Sequence, residues 1–156
     1  MRWNNASAYF EEEGSHRDIF VSNTTLSDWD RLISLSHALG QVTYLCDSEK
    51  APFPSKTNSL FDHSKHTHCM KTNLGGPVIY ASFFVVDEIE LSLDPSEINS
   101  QEDLDPVLEF CASLGRNIQR DVAITEESSP KEIILYFANK DQAWHLPGPL
   151  RDLEPS

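Results

Sequence analysis

Residues 77 to 93, PVIYASFFVVDEIELSL, alternate more regularly than any other stretch of this chain. Ile79, Ala81, Phe83 and Val85 share one side, and Ile89, Leu91 and Leu93 continue the row beyond Asp87. A period of two is the pattern of a pleated strand with one buried face. A chain carrying such a segment must build a sheet and cover one side of it. Asp87 interrupts the row, so a turn or bulge is expected there, giving two strands or one bent strand. The other side carries Glu88, Glu90 and Ser92, and Asp94-Pro95 ends the element.

The cover is legible in two stretches of helical period. Thr25 followed by Asp28 resembles a capping box with Asp in place of Glu. Behind it, Leu26, Trp29, Leu32, Ile33, Ser36 and Leu39 form one stripe, and Gly40 ends it as a C-cap. Trp29 reads as a core anchor. Ser100 with Asp103 is a second cap, followed by Leu104, Val107, Leu108, Cys111, Leu114 and Ile118 at spacings of three and four. Pro106 is expected in the first turn of that helix, where its missing N–H costs little. RDIFVS, QVTYLCD, DVAIT and KEIILYF read as further short strands, the last two joined by a turn at EESSP.

The expected fold is therefore α+β: a mainly antiparallel sheet of about 5–6 strands with two main helices packed on it. The chain reads as one domain over residues 1–156. Residues 1–15, with Trp3, Tyr9 and Phe10, are expected as an irregular, loosely docked arm. Residues 47–76 are expected as a long loop, with one short strand near Leu60 and Phe61. Residues 140–156 are expected as an extended Pro-rich tail.

Composition limits the function. The 156 residues are 39% apolar and 24% charged, enough for a core without disulfides. Cys46, Cys69 and Cys111 are odd in number and form no CxxC, as expected of reduced thiols in a cytoplasmic protein. No stretch approaches the roughly 20 apolar residues of a membrane span. The N-terminal MRWNNASAYFEEEG has no apolar core of a secretory signal. The formal net charge of −13 disfavours nucleic acid and anionic membrane as partners and favours basic proteins.

Motifs with chemistry are few. His63, His66, His68 and Cys69 in DHSKHTHCM are zinc-competent types. They crowd into one loop with no second ligand pair, and Lys65 among them repels a cation, so neither metal nor cofactor is expected. A metal protein or enzyme built on this loop is the alternative. Cys69 beside His68 is adjacency in sequence, which is not the geometry of a nucleophile and its base. There is no GxSxG, HExxH or glycine-rich phosphate loop. Glu88 and Glu90 share a strand face and could do acid–base work, but the tryptophans do not cluster with them as a sugar cleft would require.

The acids themselves are the strongest feature. Residues 72 to 115 contain no Lys or Arg. The same window holds Asp87, Glu88, Glu90, Asp94, Glu97, Glu102, Asp103, Asp105 and Glu109. Capping and the helix dipole account for those near residue 103. Glu88, Glu90, Asp94 and Glu97 remain as the centre of a surface for a basic partner, with Asp87, Glu102 and Asp105 as its rim. Tyr80 and Phe84 lie on the Glu88 side of the alternation and could anchor such a contact. In the competing reading, toward which the apolar pattern leans, a helix covers that side and both rings belong to the core.

RDIFVSNTTLSDWDRLISL (17–35) and EIELSLDPSEINSQEDLDPVLEFCASLGRNIQRDVAITEESSPKEIILYF (88–137) resemble small bacterial immunity proteins of polymorphic toxin systems. The resemblance covers a little under half of the chain and leaves the His run without a counterpart. It implies a small, acidic, cytoplasmic, non-enzymatic inhibitor that binds a cognate toxin and covers its active site. That class contains unrelated folds, so it implies a role and not a topology. A homodimeric structural protein with an ordinary acidic surface is the remaining alternative.

Overall fold

The computed structural model describes residues 1–147. The chain begins with a short helix α1 (Trp3–Ala6) and a 3-10 turn, Ser7–Phe10, that lead into β1 (Arg17–Ser22). Helix α2 (Leu26–Leu39) is followed by β2 (Gln41–Cys46) and the two-residue β3 (Glu49–Lys50). A 3-10 turn at Thr57–Phe61 precedes β4 (His68–Asn73), β5 (Val78–Ala81) and β6 (Glu88–Leu93). Helix α3 (Gln101–Ile118) then leads to β7 (Val122–Glu126), β8 (Ser129–Ala138) and β9 (Ala143–His145).

All pairings are antiparallel, and the strands form one nine-stranded sheet in the order β3-β2-β4-β5-β6-β1-β7-β8-β9. Two meanders, β2 to β6 and β7 to β9, are joined by β1, which pairs with both β6 and β7. The α+β class is as expected, but the sheet is wider. β3 is two residues long, β4 lies in the His run, and β9 lies in what reads as tail. β3 and β9 are too short to show an alternation, and β4 is held by a ladder with β2, more distant in sequence. The strand expected near Leu60 and Phe61 is instead the 3-10 turn, with Leu60 buried.

Helices α2 and α3 pack against each other and so lie on the same side of the sheet. Arg31 Nη1 donates to the Asn117 carbonyl at 2.8 Å, tying one to the other. Beneath them the alternation of β6 is complete, with Ile89, Leu91 and Leu93 buried and Glu88, Glu90 and Ser92 half-buried on the far face. The core joins these to Trp29, Leu32, Leu104, Val107 and Phe110. Each such side chain, fully buried, stabilises by about 1.5–3 kcal/mol.

The caps explain the helix starts. Thr25 Oγ1 accepts from Asp28 N, and Asp28 Oδ2 accepts from Thr25 N at 3.0 Å, a complete capping box. At α3, Ser100 Oγ accepts from Asp103 N, but Asp103 Oδ2 reaches back to Asn99 N at 3.0 Å. Because α3 starts at Gln101, Pro106 lies in the second turn and not the first. Its missing N–H deprives the Glu102 carbonyl of a helical partner. Gly40 ends α2 in extended backbone at φ −154°, not in the left-handed C-cap conformation. Its value is space: a Cβ there would stand 2.6 Å from the Asn73 carbonyl oxygen of β4.

The first fifteen residues are docked. Ala6 and Phe10 are buried. The side chain of Arg17, only 2% of whose surface is exposed, donates to the Tyr9 carbonyl at 2.7 Å and lies 3.2 Å from Glu13 Oε1. At the other end, Trp144 of β9 meets Phe137 edge-on at 5.7 Å. The rest of the Pro-rich tail, residues 148–156, lies outside the described residues. No described helix is long and apolar enough to cross a membrane.

Candidate functional site

The face of the sheet opposite the helices carries the residues that most resemble a site. Register places Phe20 against Glu90, Ser22 against Glu88 and Asp18 against Ser92. Asp18 and Glu90 are thus diagonal neighbours across β1 and β6, close enough for each carboxyl to act on the other's titration. Burial raises the pKa of both, and for Glu90 the neighbouring charges of Asp18 and Glu88 push in the same direction. Asp18 is partly compensated, since Ser128 N donates to its Oδ2 at 2.7 Å.

The pair lies in a cleft of about 190 Å³ bordered by His16, Tyr80, Ser82, Phe84, Ser92 and Glu127. The helix-covered alternative for this side is overturned. Tyr80 is half-buried and Phe84 is 60% exposed. Phe84 does not sit on a strand. It belongs to the connection 82–87 between β5 and β6, where Phe83 has φ +54°. A positive φ at a bulky residue is a strained conformation. Here it sends Phe83 inward, fully buried, and leaves Phe84 outside.

The connection is held firmly. Phe83 packs with Trp29 at 5.4 Å and with Phe61 at 5.8 Å. Its carbonyl accepts from His63 Nε2 at 2.8 Å. The Val86 carbonyl accepts from Thr24 Oγ1 at 2.8 Å and from Trp29 Nε1 at 3.1 Å, and the Asp87 carbonyl from Thr24 N at 3.0 Å. Phe84 is therefore presented to solvent from an anchored backbone.

The other candidate acids divide. Asp87 is exposed at the end of the connection. Asp94 caps the 3-10 turn Pro95–Glu97 by accepting from Ser96 N at 2.9 Å, and bonding to Ser96 holds its carboxyl below the usual range. Glu97 Oε1 accepts from Val78 N at 3.1 Å, bracing the start of β5. Glu102 and Asp105 are exposed on α3, and Asp105 accepts from Gln101 Nε2 at 2.6 Å. Glu88 and Glu90 are thus brought together with Tyr80 and Phe84, whereas Asp94, Glu97, Glu102 and Asp105 are not. Asp18 was missed. Its place on the Phe20 side of the RDIFVS alternation is visible in sequence, but nothing local indicates that β1 pairs with β6.

The His run is dispersed. His68 Nε2 donates to the Asp62 carbonyl at 3.1 Å, so its Nδ1 accepts from the Tyr44 hydroxyl at 2.5 Å. Burial, reinforced by the adjacent Cys46, pushes the Tyr44 phenol up to about 12. Strand alternation in β4 puts Cys69 on the face opposite His68, so the two form no nucleophile–base pair. Burial raises the Cys69 thiol pKa, which also disfavours a thiolate. His66 Nδ1 lies 2.6 Å from Asp47 Oδ2.

Compared with protein-family models, curated proteins and solved structures, the chain matches none of them.

Proposed function

We propose that this protein is a non-enzymatic acidic binding protein whose docking surface is the uncovered sheet face around Glu88 and Glu90. The observation that carries the reading is the pairing of an exposed Phe84 on an anchored backbone with a carboxylate cluster of buried Asp18 and half-buried Glu88 and Glu90. An aromatic beside desolvated charge is the composition of an interface anchor. Like charges held together are relieved by an incoming lysine or arginine, so the partner is basic. Together with the resemblance of residues 17–35 and 88–137 to immunity proteins, this supports a cognate toxin as that partner, neutralised by occlusion of its active site. Asp87 lies beside this surface, Asp94 and Glu97 contribute through its field, and Glu102 and Asp105 act only as a distant rim.

The test is a capture experiment from host lysate, with wild-type bait and with Glu88→Lys/Glu90→Lys bait, at low and high salt. One basic protein held stoichiometrically by wild type, released by the double variant, and inhibited at a 1:1 ratio is the expected result. A partner retained equally by both baits, while Glu102→Lys/Asp105→Lys bait loses it, would move the interface to α3. Capture of nothing by folded wild-type bait overturns the reading.

A further inference from the structure

We infer that the end of the sheet formed by Cys46, Asp47 and His66 is a binding site for a zinc-type divalent cation. The Cys46 thiol, an Asp47 carboxylate oxygen and a His66 ring nitrogen all lie within 4.8 Å of one another. Sulfur, oxygen and imidazole nitrogen together suit a borderline-soft cation and not magnesium or calcium. Ligand bonds of about 2.0–2.3 Å place the ligand atoms of a tetrahedral centre about 3.3–3.8 Å apart. His66 Nδ1 stands 2.6 Å from Asp47 Oδ2, so a bound cation replaces that contact and moves the two ligand atoms apart, which their side chains, 56% and 53% exposed, have room to do.

The backbone holds these residues in place. Asp47 and Ser48, at φ 51° and 68°, form the two-residue turn between β2 and β3, a turn type that needs positive φ at both positions. Asp47 N donates to the Thr67 carbonyl at 3.0 Å, and Thr67 N donates to Asp47 Oδ1 at 2.8 Å. These bonds fix the approach of His66, the neighbour of Thr67. They hold Asp47 as a strap, and the half-buried Cys46 beside it packs against the core. Three protein ligands leave a fourth position, and the adjoining cleft of about 330 Å³ gives it room for water or a small ligand. Asp62 and Lys65 also border that cleft, and the Lys65 ammonium opposes a cation and lowers the affinity. The set differs from the one the His run implies: Cys46 and Asp47 replace His63, His68 and Cys69. It is independent of the acidic face.

The experiment is titration of reduced, untagged protein with Co²⁺, read by thiolate-to-cobalt charge transfer in the near ultraviolet and followed by displacement with Zn²⁺. One cobalt per chain, a charge-transfer band abolished by Cys46→Ser but kept in Cys69→Ser, and affinity lowered more than about 10-fold by His66→Ala are expected. Lys65→Ala should tighten binding. No band in the wild-type protein, or a band lost with Cys69→Ser and kept with Cys46→Ser, overturns the site. Because the decisive reading is made on wild-type protein, a variant that fails to fold cannot rescue or sink it.

Discussion

Two residues decide most of what the uncovered face can do. Glu90 sits beside Asp18, and both carboxyls have raised pKa values, first because they are buried. The folded chain therefore binds protons more tightly here than the unfolded chain. The resulting penalty is fully present above the folded pKa and vanishes as pH falls below the ordinary carboxylate range. Glu90→Gln removes the carboxylate charge that stands beside Asp18 and Glu88. It should stabilise the protein at pH 7 by about 0.5–1 kcal/mol, or about 1–4 °C in Tm, and the gain should disappear near pH 4. Thermal melts across that range check it, and an equal gain at both ends would mean that the charge of Glu90 is not what the substitution relieves. Phe84 makes the opposite kind of prediction. At 60% exposure it contributes little to folding, so Phe84→Ala should change stability by less than about 0.5 kcal/mol. The same change should weaken binding of the basic partner by about 2 kcal/mol, roughly 30-fold. Paired unfolding and affinity measurements separate the two. Phe84 was legible as a candidate anchor, but its exposure was not, because it follows from the left-handed backbone of Phe83 and not from the alternation.

At the scale of elements, helices were more legible than strands. The caps at Thr25 and Ser100 act within three or four residues, so sequence spacing reveals them. β4 and β9 depend on ladders with β2, β5 and β8, and their own residues are polar enough to pass for loop. Gly40 illustrates the difference. Its place at the end of α2 is readable, but the reason for glycine is the passing backbone of β4, not a left-handed cap. Since φ −154° suits any residue, only the 2.6 Å approach to Asn73 penalises a side chain. Gly40→Ala should therefore destabilise by about 1–3 kcal/mol, because a carbonyl in a sheet ladder cannot yield as a flexible side chain would. A lowered denaturant midpoint with unchanged slope is the expected readout.

Across the whole molecule, the N-terminal arm docks through Ala6 and Phe10 in the core, through Gln101, and through the buried cation of Arg17. Arg17 gathers carbonyls of Tyr9, Glu11 and His16 and faces Glu13 and Glu126. Arg17→Met should cost about 2–3 kcal/mol by leaving those acceptors unpaired, and limited proteolysis should then cut between Tyr9 and His16. The amino-acid sequence by itself determined the class of the fold, the two capped helices, the buried rows of β5 and β6 and the excess of acid, whereas Val85, expected on the same row, is 42% exposed in the connection between them. All four follow from periodicity, capping or composition, which act locally or as sums. Tertiary structure alone decided that β1 lies between β6 and β7, setting Asp18 diagonally beside Glu90, and that β2 and β4 bring Cys46 and Asp47 to His66. Strand order is set by long-range ladders and by how the helices cover one face, and no local pattern encodes which distant strand becomes a neighbour.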